Sequence, residues 1–149
     1  MRPATAADAA TLAAIQEEAS RAGVPHVYPP ELYPFPTEAV RERWRRYTEE
    51  GGWALLAGDD GFVAVAEPWL EAIYVRPSAW GSGVAAELHD AAVAELRRRG
   101  VERARLWVLE RNDRARRFYE RRGWRPDGTS RVVEFPPNPI DLGYALDLT

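Results

Sequence analysis

The chain has 149 residues, 46% hydrophobic and 29% charged, at a net charge of −3, a balance that suits one compact domain over residues 1–149 with a core of its own. It has no cysteine, which removes disulfides, a thiolate nucleophile and cysteine metal sites, and its two histidines, His26 and His89, stand too far apart to suggest a metal set. All 20 basic residues are arginine, but with a negative net charge no overall basic field favours nucleic acid. No run approaches the ~18 apolar residues of a membrane span, and MRPATAADAA lacks the apolar centre of a secretory signal, so the expected setting is cytoplasmic with no membrane partner.

Arg2 to Thr5 reads as the end of a short strand, and Thr5 with Asp8 three residues on resembles a capping box. Helical spacing of Leu12, Ile15 and Ala19 predicts a helix to about Arg21. Residues 23 to 37 carry five prolines and three aromatics, which predicts a loop. A second helix runs from Thr37 through Trp44 and Tyr47 to about Glu50, closed by Gly51-Gly52. WALLAG (Trp53 to Gly58) and GFVAVAE (Gly61 to Glu67) flank Asp59-Asp60-Gly61, a hairpin signal. A turn at Glu67-Pro68-Trp69 leads into the strand LEAIYV (Leu70 to Val75). After WGSG, apolar positions at helical spacing from Val84 to Leu96 predict a helix that stops at Gly100. RARLWVL (Arg103 to Leu109) is again a strand, so residues 70 to 109 form a strand-helix-strand crossover with parallel strands. A short helix from Asn112 to Arg122 follows, capped by Gly123, and RVVEF (Arg131 to Phe135) with LGYALDL (Leu142 to Leu148) reads as a closing hairpin. The predicted class is α+β: a mixed, mostly antiparallel sheet with one parallel βαβ crossover and flanking helices.

The loop Trp80-Gly81-Ser82-Gly83-Val84-Ala85-Ala86 lies between a strand and a helix, a position where backbone amides meet anions. It fits G-x-G-x-x-[GA], the dinucleotide fingerprint, and Glu110 ends the next strand about where a ribose-binding acid would sit. Against that NAD(P) reading, Arg76 to Trp80 make the lead-in long, and the chain after Glu110 is too short for a doubly wound sheet. A triphosphate loop is excluded because there is no lysine.

The segments LEAIYVRPSAWGSGVAAEL and LWVLERNDRARRFYERRGW together resemble the GCN5-related N-acetyltransferases. Gly83 and Ala85 occupy the G-x-[GA] places of that family's pyrophosphate loop. Asn112, Ala115, Phe118, Tyr119, Gly123 and Trp124 match its second signature, and the element order agrees along nearly the whole chain. One departure stands out: the family's Gln or Arg at the first loop position is Trp80 here.

The resemblance implies the acyl-CoA N-acyltransferase fold and acetyl-CoA as cosubstrate, with no metal. It implies transfer of an acetyl group to a primary amine of a small molecule or peptide by direct attack. The pyrophosphate then sits on Gly81, Ser82, Gly83, Val84, Ala85 and Ala86. The pantetheine arm lies along Ile73, Tyr74 and Val75 as an added strand, with Asn112 and Tyr119 as further contacts. The Val75 N–H is the oxyanion donor and Tyr119 the general acid. The family's usual base positions correspond to Trp69 and Trp107, so Glu71, on a shared strand face with Glu67 and Trp69, is the first candidate base. The loops 23–37 and 131–140 are expected to wall the acceptor site with His26, Tyr28, Glu31, Tyr33, Phe35, Glu134 and Phe135. A non-catalytic acyl-CoA sensor of the same fold is the second reading, and an exposed sheet edge suggests a homodimer.

Overall fold

In the computed structural model, which describes residues 1–149, the predicted hairpin forms part of a seven-stranded sheet. Strand β2 (Trp53–Ala57) pairs antiparallel with β3 (Gly61–Ala66), and the short β1 (Arg2–Pro3) adds to the outer edge of β2. β3 pairs antiparallel with β4 (Trp69–Val75), and a crossover through helix α3 (Val84–Arg98) brings β5 (Arg103–Leu109) parallel to β4. The strand order is β1-β2-β3-β4-β5-β7-β6, with β7 (Ile140–Asp147) antiparallel to both β5 and β6 (Arg125–Val132). One parallel pair in an otherwise antiparallel sheet leaves no place for a doubly wound dinucleotide fold, so the NAD(P) reading of the glycine loop fails on topology.

Alternation on β3 assigns the two faces. Phe62 and Ala64 pack with Ala9, Leu12 and Ile15 of α1 (Ala9–Gly23) and Trp44 of α2 (Thr37–Glu49). Val63 and Val65 pack on the opposite face with Leu88, Ala92 and Leu96 of α3, and with Leu106, Trp124 and Tyr144. Leu12, Ile15, Leu88 and Leu96 are completely buried, each contributing roughly 1.5–3 kcal/mol of apolar transfer. The Thr5–Asp8 capping box is formed, with the Thr5 N–H donating to Asp8 at 2.8 Å and Arg2 pairing with Asp8 at 2.7 Å.

The feature that positions the site is a defect in the sheet. β4 carries one residue more than β3: Ala64 faces Ala72 and Val65 faces Leu70, leaving Glu71 without a partner. Such a bulge bends and twists the strand that bears it. β4 and β5 are then registered only at Trp69–Arg105, where the Arg105 N–H donates to Pro68 O at 3.0 Å, and they diverge beyond it.

Three local expectations change. Glu67 lies in the turn between β3 and β4, so it does not share a strand face with Trp69 and Glu71. β6 begins at Arg125 rather than Arg131 and ends at Val132. The missing signal is physical: RPDGTSRV is an exposed edge strand with Pro126 and a positive-φ Gly128 at a register shift, so it has no apolar face to alternate. β7 correspondingly starts at Ile140, ahead of Leu142.

Candidate active site

The divergence of β4 from β5 opens a cleft of about 560 Å³ that reaches both faces of the sheet. Its β4 wall is an unused strand edge. The Arg76 N–H donates to Asp60 O at 2.7 Å, so hydrogen-bonded pairs with β3 fall at Arg76 and, two residues back, at Tyr74. The intervening Ile73 and Val75 therefore turn their N–H and C=O groups towards β5, where no ladder receives them. The Val75 carbonyl is taken by the Trp80 indole, whose Nε1–H donates to it at 2.9 Å.

That indole fastens the glycine loop to the end of β4. Gly81 (φ 81°) and Gly83 (φ 91°) occupy the left-handed region, which a side chain would strain, and this conformation delivers the chain into α3. The Ser82 hydroxyl donates to Ala79 O at 2.5 Å and accepts from the Val84 N–H at 3.4 Å. The amides of Gly81, Gly83, Ala85 and Ala86 donate to no backbone carbonyl, so the loop presents free N–H groups at a helix N-terminus. Gly81, Gly83 and Ala85 line the cleft; Ser82, Val84 and Ala86 frame the loop behind them.

Helix α4 (Asp113–Arg121) forms the wall opposite β4. Asn112 caps it, accepting from the Ala115 N–H at 3.1 Å, and also lines the cleft. Tyr119, 9% exposed, lines the same space between Phe118 and Trp124, with ring centroids 5.4 and 6.0 Å away. Burial, and secondarily Tyr74, push its phenol above the ordinary value, so it stays protonated through neutral pH. Tyr74 is raised for the same leading reason.

On the side of α1 and α2 the cleft is aromatic. Trp69 and Trp107 stack with centroids 5.5 Å apart and planes at 16°, and the Arg131 guanidinium lies 4.5 Å over Trp107. Tyr28 meets Phe135 edge-on at 5.7 Å, and Tyr33 and Phe35 continue the wall. Tyr28 is pushed up to about 12 by burial, then by Asp141 and Tyr74.

Two carboxylates stand on this side. Glu71, at the bulge and 33% exposed, pairs with Arg43 of α2 at 3.0 Å. Asp141, 10% exposed, pairs with Arg131 at 3.0 Å; burial raises it against that arginine's pull. Asp141, Arg131 and Arg43 had no motif to announce them. The one signal was an acid at the head of an otherwise apolar closing strand, IDLGYAL.

The structure leaves three expected acceptor residues outside the cleft. The His26 Nε2–H donates to Arg111 O at 2.7 Å, fixing the loop to the turn after β5. Glu31 and Glu134 are exposed and absent from the lining, because the apolar loop residues turn inward and leave charges in water. No group of three or more His, Asp or Glu is arranged to hold a metal ion, and no helix is long and apolar enough to cross a membrane.

Residues 14–124 match the model of the acetyltransferase (GNAT) family. A mycothiol acetyltransferase from Beutenbergia cavernae is 42% identical over 82 residues, 48% of this chain and 28% of that protein, so the match spans under a third of that relative's length. A GCN5-related N-acetyltransferase structure from Rhodopseudomonas palustris superposes with a TM-score of 0.78 at 22% identity, covering 98% of this chain and 93% of that one. A PaiA N-acetyltransferase from Thermoplasma acidophilum, in complex with coenzyme A, gives a TM-score of 0.73 at 17% identity, covering 98% and 96%.

Proposed function

The chain belongs to the acetyltransferase (GNAT) family, and from that premise we propose that it transfers an acetyl group from acetyl-CoA to a primary amine of a small molecule or peptide. The observation that carries the reading is the free β4 edge beside a loop of unpaired amides, facing a buried phenol across one cleft. These residues fit acetyl-CoA: Gly81, Gly83, Ala85 and Ala86 amides suit its pyrophosphate, and the edge at Ile73 and Val75 suits the amides of its arm.

Bound acetyl-CoA supplies an activated acyl carbon. The Val75 N–H, free on the cleft side, donates to the carbonyl oxygen as negative charge gathers there. The acceptor nitrogen forms its bond to the acyl carbon as the carbon–sulfur bond breaks, and the sulfur takes the Tyr119 proton. Burial makes that phenol a weaker acid, but the same burial penalises a thiolate left in the cleft. The proton lost by the amine goes to a carboxylate. We assign that role to Asp141, which burial raises towards the range of a working base. Glu71, held by Arg43, is the alternative. The aromatic wall of Trp69, Trp107, Tyr28 and Tyr33 suits an acceptor with an apolar or planar body.

A second reading, a non-catalytic acyl-CoA-binding domain, is favoured by Trp69 and Trp107, which fill both positions where the family resemblance puts a base. Thermal melting with acetyl-CoA, CoA, NAD and NADP tests binding: ligand at 100 times its Kd adds about 2.7 kcal/mol. Thiol release with a panel of amines then separates enzyme from sensor. Stabilisation by NAD and not by CoA overturns both readings.

A further inference from the structure

Arg114 stands in the first turn of α4, where the helix dipole disfavours a positive charge. Its guanidinium carbon lies 3.4 Å over the Trp80 ring, a close cation–π contact. It forms no ion pair and no hydrogen bond within the chain, unlike Arg116 on the same helix. Burial lowers its pKa. Trp80, Gly81, Gly83 and Arg114 line one stretch of the cleft, with the loop's free amides alongside. A guanidinium held flat on an indole keeps its N–H edge available, and a planar fork of donors matches phosphate oxygens.

We infer that Trp80 and Arg114 together replace the polar residue at the head of the loop: the indole N–H tethers the loop to β4, and its face seats an arginine that grips a phosphate of the cofactor. This rests on the acetyl-CoA reading above. The division of labour explains why an indole stands at that position. One side chain cannot both hold the loop and carry the charge when it is Trp, so the charge comes from α4. Either the pyrophosphate or the ribose 3′-phosphate presents the required oxygens.

Calorimetric titration of the whole chain with CoA, 3′-dephospho-CoA and pantetheine tests it without any turnover. R114A is expected to weaken CoA by about 10- to 100-fold, the range of a charge-assisted hydrogen bond, and to leave pantetheine unchanged. R114K, which keeps the charge but loses the flat fork, falls between. A loss in R114A that persists with dephospho-CoA assigns the pyrophosphate; a loss that vanishes assigns the 3′-phosphate. Unchanged CoA affinity in R114A, or an equal loss for pantetheine, overturns the inference. Failure of the unsubstituted protein to bind CoA at all overturns the functional reading instead.

Discussion

Replacing Asp141 with asparagine keeps the side chain's shape and removes its capacity to take a proton. The Asp141 side chain is 10% exposed but its partner Arg131 is 53% exposed, so in D141N the guanidinium reaches water. The stability cost is then that of a surface pair, about 0.5–1 kcal/mol, a fall in Tm of about 1–4 °C for a chain of this size. Loss of a positioned base costs roughly 10²–10⁴-fold in rate, about 3–5 kcal/mol of barrier. The two scales are far enough apart to read separately. The assay is kcat/KM for thiol release against pH, at a temperature well below melting, for the unsubstituted protein, D141N and E71Q. Because burial raises Asp141 above 3.8 and only the deprotonated form accepts a proton, activity should climb with pH along a limb above the ordinary carboxylate range. D141N should lack that limb. A D141N enzyme with unchanged kcat/KM and an intact acid limb would refute the assignment, and loss of the limb in E71Q alone would move the base to Glu71.

Y119F should lower kcat by roughly 10²–10⁴-fold while CoA affinity by calorimetry stays within a few-fold; an unchanged kcat removes Tyr119 as the acid. A Cβ at Gly61 would stand 2.8 Å from the Tyr74 carbonyl oxygen, backbone that cannot give way, so G61A should cost about 1–3 kcal/mol in urea unfolding. G23A, with open space around it and ordinary φ, should be neutral or stabilising, and equal effects at the two sites would contradict the packing reading. The His89 Nε2 accepts from the Trp124 indole at 3.0 Å and its Nδ1–H donates to Asp90, so burial favours the neutral ring and lowers its pKa. The unfolded chain therefore takes up this proton first: stability should fall as pH drops below about 6.5, and the difference in ΔG between pH 8 and pH 5 should shrink in H89Q.

Much of the frame was legible because it rests on local chemistry. The Asp59-Asp60-Gly61 turn, the Thr5–Asp8 box and the glycine-ended helices each depend on a few neighbouring residues, and all are formed. Edge strand β6 starts six residues ahead of the expected Arg131 with no apolar alternation to mark it, because it buries nothing and burial is what writes alternation into a sequence. His26, Glu31 and Glu134 lie in two loops that turn their aromatics inward and leave these polar groups outside the cleft.

The residues alone determined the local shape of the proposed cofactor side: the Gly81 and Gly83 backbone, the Asn112 cap and the helix face of Tyr119 are each set within a few residues. Tertiary structure decided the rest. The bulge at Glu71, the stacking of Trp69 on Trp107, the Asp141–Arg131 pair and the seating of Arg114 on Trp80 all join residues distant in the chain. Such pairings depend on helix placement and strand register, and a one-residue slip would send each strand side chain among them to the other face of the sheet.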